Sequence, residues 1–337
     1  MRRSLAPFAR DLPVLGVAVA WGSSFLVVKN VATEESVVAM LVLRFAVALP
    51  LLALFTWRGL RRFGPKEWLG GSSLGLVLGA VFLLETYGAV HTSATNAGLV
   101  ISLTMVFTPL AESALARTRL PRAFVAAAGL SVLGVALLTG GGGGGFRAPG
   151  PGDLLVLGAA LVRTAHVLTM ARLRSIREAD SGALTWVQLA TATVVFAVIA
   201  PFTGTSPAAL AASYGATDWV LLLHLSLACT IFAFVVQMWA VRTTSPSRVS
   251  LLLGTEPLWA AVFGITLAGD HLGPLGLLGA LCVLAGTEWG RRTAAPVSAG
   301  SGTGEDVGAA QREPARERRR KSAVTTASSG PQSSSGA

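Results

Sequence analysis

The sequence predicts an all-α polytopic membrane protein of ten transmembrane helices, built as two five-helix halves of opposite topology. Three observations predict this class. Apolar runs of about 17 to 22 residues recur almost end to end, each long enough to cross a bilayer. Lys and Arg fall in alternate loops. The second half of the chain also aligns on the first without a gap.

Composition agrees. The chain has 337 residues, 52% hydrophobic and 13% charged, and a mean hydropathy of +0.63. A soluble domain is about 25% charged. The formal net charge of +10 would suggest nucleic acid in a soluble chain, but here the positive charge sits in short loops, which makes it topological. The expected partners are the bilayer and a small-molecule substrate, without nucleic acid. The two cysteines, Cys229 and Cys282, lie inside apolar runs and offer neither a disulfide framework nor metal spacing. No cofactor or metal is expected.

The elements follow in order. Span 1, at 12–31, has a basic start and an apolar segment that continues past Trp21 to Val31, which predicts an uncleaved first helix. Span 2 (36–57) carries Arg44, and span 3 (67–89) carries Glu85. In span 3, Gly71, Gly75 and Gly79 recur every fourth residue, which predicts a close helix seam. Span 4 (94–115) aligns Asn96, Thr104, Thr108 and Glu112 on one stripe. Span 5 (122–140) ends the first half, residues 1–140. A glycine-rich linker (141–152) leads to span 6 (153–172), which carries Arg163 and His166. Spans 7 (182–202), 8 (218–241), 9 (246–268) and 10 (273–290) complete the second half, 153–292. His224 and Gln237 in span 8 are weaker candidates. The polar remainder, 293–337, predicts a disordered cytoplasmic tail.

Seventeen Lys and Arg occupy one set of alternate loops, and Arg147 alone the other. Both termini are therefore expected to be cytoplasmic, in a multi-pass protein of the plasma membrane. A shift of 152 residues brings Phe82 onto Phe234, Thr92 onto Thr244, Ser93 onto Ser245 and Gly134 onto Gly286. Five spans are an odd number, so the halves must be inverted. Such repeats build secondary transporters whose substrate site lies near the midplane.

The segments "AWGSSFLVVK" (20–29), "LRF" (43–45), "TSATNAGLVISLTMVFTPLAE" (92–112) and "TEPLWAAVFGITLAGDHLGPLGLLGALCVLAG" (255–286) resemble the EamA-like family of the drug/metabolite transporter superfamily. The resemblance covers about residues 12–290. It implies a ten-helix inverted-repeat exporter in which spans 1–4 and 6–9 line a cavity and spans 5 and 10 are peripheral. Asp270 stands where that family usually has Glu, and Arg163 and His166 stand where aromatic or apolar residues are common.

Ionisable groups at membrane depth cost about 2.5–3.5 kcal/mol each on insertion scales, so they mark pathways or buried pairs. Glu256 in span 9 has Pro257 behind it, a pair expected to form a cavity-facing hinge; the alternative is a carboxylate bridging neighbouring helices. Arg163 and His166 are expected to share a face near mid-membrane, with His166 either a proton relay or a packed neutral ring. Arg44 needs an anion, either substrate or a static partner in Glu85. Lys29 either pairs with Glu85, snorkels outward or stands at the cavity mouth on the face of Trp21. Thr104 and Thr108 complete the pathway candidates. The expected function is export of a small metabolite, amino acid or drug-like solute by alternating access, with proton coupling an option. The alternative is a translocase of lipid-linked substrates. The oligomeric state stays open between monomer and homodimer. There is no HExxH, paired-Asp or nucleophile arrangement that would make the chain an enzyme.

The loop charges make a direct prediction. Alkaline phosphatase fused after residue 147 is expected to be active, and fused after residue 175 inactive. The reverse pattern would invert the topology.

Overall fold

The computed structural model describes residues 6–117, 119–140, 149–173, 179–243 and 252–294. Those residues are helical throughout, with short connections and no strand among them. Residues 141–148 of the expected linker and 295–337 of the expected tail lie outside the described residues.

Hydrophobic runs of this length favour helix because each backbone N–H and C=O is then satisfied within its own segment. The helices are α1 (Ala6–Val31), α2 (Val37–Leu60), α3 (Pro65–His91), α4 (Ala94–Ile101), α5 (Thr104–Ala116), α6 (Arg122–Gly140), α7 (Pro151–Arg172) and α8 (Ser181–Ile199). They continue with α9 (Pro207–Ser213), α10 (Ala216–Leu223), a π-helix (His224–Phe232), α11 (Ala233–Thr243), α12 (Glu256–Thr266) and α13 (Pro274–Ala294). Among the described residues, seven helical stretches are long and apolar enough to cross a membrane. Two further apolar helices, 122–138 and 274–290, are shorter. Residues 246–251 of the expected ninth span lie outside the described residues.

Four elements differ from expectation. The fourth span is two helices, broken at Ser102 and Leu103. The eighth contains nine π-wound residues, hydrogen-bonded to α1 and α2. Trp21 Nε1 donates to the Cys229 carbonyl at 2.9 Å, and Ser226 Oγ donates to the Arg44 carbonyl at 2.9 Å. The ninth is not a helix kinked at its centre. A turn at 254–255 precedes α12, so Pro257 sits in a first helical turn, where no intrahelical N–H is required. The interruption is thus a helix start. The last helix also runs to Ala294, past the expected end of the tenth span.

Small residues set the helix contacts. The expected seam on α3 packs against α8: Cβ atoms added at Gly71, Gly75 and Gly79 would meet Val187, Gln188 with Thr191, and Ala192. Helices α6 and α13 pack reciprocally. A Cβ at Gly134 would stand 2.6 Å from Val283 N and 2.8 Å from the Gly279 carbonyl, and one at Gly286 would stand 2.7 Å from Ser131 N and 2.8 Å from the Ala127 carbonyl. Subtracting 152 from 279 and 283 gives 127 and 131, so the two contacts are the same contact exchanged between halves. Across the bundle α3 lies on α7 and α8, α2 on α8 and the π-helix, α1 on α11 and α12, and α4 on α7 and α12.

The tightest crossing joins α1, α4 and α12. A Cβ at Gly98 would lie 2.1 Å from Ala260 Cβ, and one at Gly22 would lie 2.6 Å from Trp259 Cβ. Overpacking of this kind costs about 1–3 kcal/mol, more than the roughly 1 kcal/mol of helix propensity that alanine gains over glycine. Gly98→Ala is therefore expected to lower the melting temperature in detergent, and Gly98→Ala with Ala260→Gly to restore it. An unchanged melting temperature in the single variant would refute this crossing.

Candidate substrate pathway

The breaks in the fourth and ninth spans occupy equivalent places, since residues 102–103 become 254–255 on adding 152. Between them lies a cavity of about 150 Å³. Ile101, Thr104 and Met105 line it from one side, and Leu253, Glu256 and Pro257, each 152 residues further on, from the other. Trp21, Gly98, Ser102 and Arg163 complete the wall. Both α5 and α12 begin at the cavity, so two helix N-termini, each equivalent to about half a positive charge, meet there. Pro109 inside α5 has no N–H for the Met105 carbonyl one turn earlier, which loosens the same wall.

Glu256 is the first residue of α12. Its carboxylate forms no hydrogen bond or close ion pair among the described residues, yet lies within electrostatic reach of Arg163 and Glu85. Arg163 Nη2 is 3.3 Å from Glu85 Oε2, with side chains 33% and 16% exposed. The approach is oblique, and Glu85 Oε2 is buried without a well-aligned donor. Glu85 and Glu256 thus both lie within electrostatic reach of the Arg163 guanidinium, and Glu85 also lies within electrostatic reach of Arg44.

The expected Arg44–Glu85 and Lys29–Glu85 pairs are not formed. Glu85 projects instead toward Arg163 on α7. Arg44 is 6% exposed. Its Nε donates to Thr230 Oγ1 at 3.2 Å, and its guanidinium lies over Phe45 and Phe82 at 5.5 and 5.4 Å. Aromatic faces and the π-helix hydroxyl take the place of a carboxylate contact. Lys29 is exposed at the end of α1 and donates to the Thr92 carbonyl, away from Glu85.

Arg163 and His166 do not work as a pair at the cavity. His166 is 8% exposed, and its Nε2 donates to Gln188 Oε1 on α8 at 2.7 Å. This contact is that of a packed ring. Thr104 lines the cavity, its hydroxyl bonded to the Ile101 carbonyl at 2.8 Å, while Thr108 is half-buried outside the lining. Glu112 is exposed. Trp21 stands in the wall, edge-on to Phe234 at 6.4 Å.

Sequence reasoning missed Ser102, Met105 and Leu253 as lining residues, and Asp153 as a buried acid, 8% exposed, at the start of α7. Applying the 152-residue shift to Pro257 and Leu253 would have pointed to Met105 and its neighbours. Asp153 sits in a loop-proximal position that looks solvated in sequence.

The sequence model of the EamA-like transporter family matches residues 10–140 and 150–288. The chain belongs to the EamA-like transporter family, within the drug/metabolite transporter superfamily. Two proteins of Archaeoglobus fulgidus, each named an uncharacterized transporter, are similar to it. One is 26% identical over 81% of this chain and 83% of its own length. The other is 27% identical over 79% and 91%. A solved structure titled only as the crystal structure of a protein superposes with a TM-score of 0.59 at 16% identity, over 86% of this chain and 98% of its own. That likeness concerns the fold alone. The protein is thus a multi-helix membrane transporter.

Breaking a partly buried ion pair from one side leaves an uncompensated charge, while removing both partners is milder. Arg163→Gln is expected to lower thermal stability clearly, and Arg163→Gln with Glu85→Gln to recover most of the loss. Purely additive losses would show that the two groups are not coupled.

Proposed function

We propose that this EamA-like protein is a secondary transporter of the plasma membrane that exports a small solute by alternating access, with both termini cytoplasmic. Ten spans in two inverted halves, 1–140 and 153–292, would form the moving parts. Three findings support the duplication: the two stretches matched by the family, the reciprocal α6–α13 contacts, and the equivalent helix breaks.

The single observation that carries the reading is the cavity where those breaks meet, holding Glu256 unpaired beside Arg163. Non-helical backbone at membrane depth is tolerated only where it is buried in protein or faces water, and discontinuous helices are how transporters form substrate sites. The unmatched carboxylate selects a proton or a cationic group, and Trp21 adds an aromatic face for such a group. The substrate's apolar part would lie against Ile101, Met105 and Leu253. Arg163 sets the cost of an empty, charged Glu256, so rocking that alters their separation couples occupancy to access.

The test is transport of solutes first identified by thermal-shift screening of amino acids, nucleosides, sugars and cationic drugs. Glu256→Gln keeps size and removes charge. It is expected to express normally, to lose net transport by more than about tenfold, and to flatten the pH dependence between mildly acidic and mildly alkaline conditions. Wild-type transport by Glu256→Gln across that range would sink the proposal.

A further inference from the structure

One end of the bundle, where α1 finishes and α4 begins, is tied across the halves by two acids outside the cavity. Asp153, at the start of α7, accepts from Thr92 Oγ1, and from Asn96 Nδ2 at 3.3 Å; its other oxygen accepts from Gly150 N–H at 3.0 Å. Asp270, in the turn between α12 and α13, accepts from the Thr95 N–H at 2.8 Å. Its own N–H donates to the Gly264 carbonyl at 2.9 Å, which fixes the turn. Lys29 reaches the same segment through the Thr92 carbonyl. The five-residue stretch 92–96 is therefore gripped from α1, α7 and the α12–α13 turn.

The grip lies directly above the cavity. Gly98, one turn on from Thr95, both lines the cavity and crosses Ala260. At Gly264 α12 touches the start of α4: an added Cβ would be 2.2 Å from Thr95 Oγ1 and 2.5 Å from Asp270 Oδ2. Nothing of solvent size fits between α4 and α12 here. Thr95 Oγ1 is buried and lacks a hydrogen-bond partner. A buried unsatisfied hydroxyl disfavours the closed arrangement, because opening would return it to water. The acids must offset that.

We propose that Asp153 and Asp270 form a two-carboxylate clasp on residues 92–96 that closes the transport route at this end, and that its release opens that end. Both are positioning residues that act through the α4 N-terminus. The proposal rests on the alternating-access reading above. The access equilibrium of a two-state carrier is shifted only by interactions that differ between its states, and these cross-half bonds belong to the closed end.

The experiment reads access directly. Ser102→Cys places a thiol in the cavity wall of a Cys282→Ala protein, and the same protein without Ser102→Cys gives the background from Cys229. A membrane-impermeant maleimide is applied to right-side-out and to inside-out vesicles. With the clasp intact, reaction from the clasp side is expected to be slow. Asp153→Ala with Asp270→Ala is expected to raise it by about tenfold or more, with a matching fall from the opposite side. Asp153→Asn, which keeps an acceptor for the Thr92 hydroxyl, should restore most of the closure. Should the double variant fail to fold, Thr92→Val with Gly264→Ala loosens the same contacts without removing an acid and is expected to act in the same direction. An unchanged clasp-side rate in folded variants overturns the clasp while leaving the transport reading intact. A thiol unreactive from both sides in every variant overturns alternating access through this cavity, and the clasp with it.

Discussion

A helix that breaks inside a membrane exposes backbone groups that hydrocarbon cannot satisfy. Placing such breaks is the constraint from which the rest of this structure follows. Two spans break, at 102–103 and 254–255, and the bundle brings both breaks to one cavity. At each break the backbone tightens into i→i−3 bonds, with Leu103 N–H on the Val100 carbonyl at 3.1 Å and Thr255 N–H on the Leu252 carbonyl at 3.2 Å. The cavity forms where the two breaks meet, and it becomes a site because charge is placed in it.

That charge follows the same logic. Glu256 begins α12, where the helix N-terminus favours an anion, and Arg163 approaches from α7. Glu85 reaches the same guanidinium from α3. Opposite unit charges about 4 Å apart attract by about 4 kcal/mol at an effective dielectric of about 20, comparable to the cost of burying an ion. A group poised this way responds strongly to a small change in separation. A fully paired one would not, and the embedded Arg44, held by Thr230 and two aromatic rings, shows the static alternative.

Much of this was legible in the sequence. The apolar runs located the helical segments because hydrocarbon permits little else, and the glycine spacing in α3 located its seam on α8. Glu256 and Arg163 stood out because charge in an apolar run is rare. The break before Thr104 was not legible, since "VISLTM" is a good helical sequence and only its repeat partner, with Pro257, marks the place. The Arg163–Glu85 pair was missed because three helices at similar depth offered several partners, and side-chain direction decides between them. Between the two readings of His166 the sequence could not choose, because Gln188 on α8 supplies a partner that periodicity within α7 cannot reveal. The π-helix at 224–232 carries no composition signal, being held by Trp21 and by bonds to α2.

Amide hydrogen exchange in lipid nanodiscs tests the central claim most directly. If both breaks open onto one aqueous cavity, peptides spanning 101–105 and 253–257 exchange at least about tenfold faster than mid-helix peptides of α6, and they do so together. Protection at either break equal to that of α6 would mean that no water reaches it, and the cavity would not be the transport site.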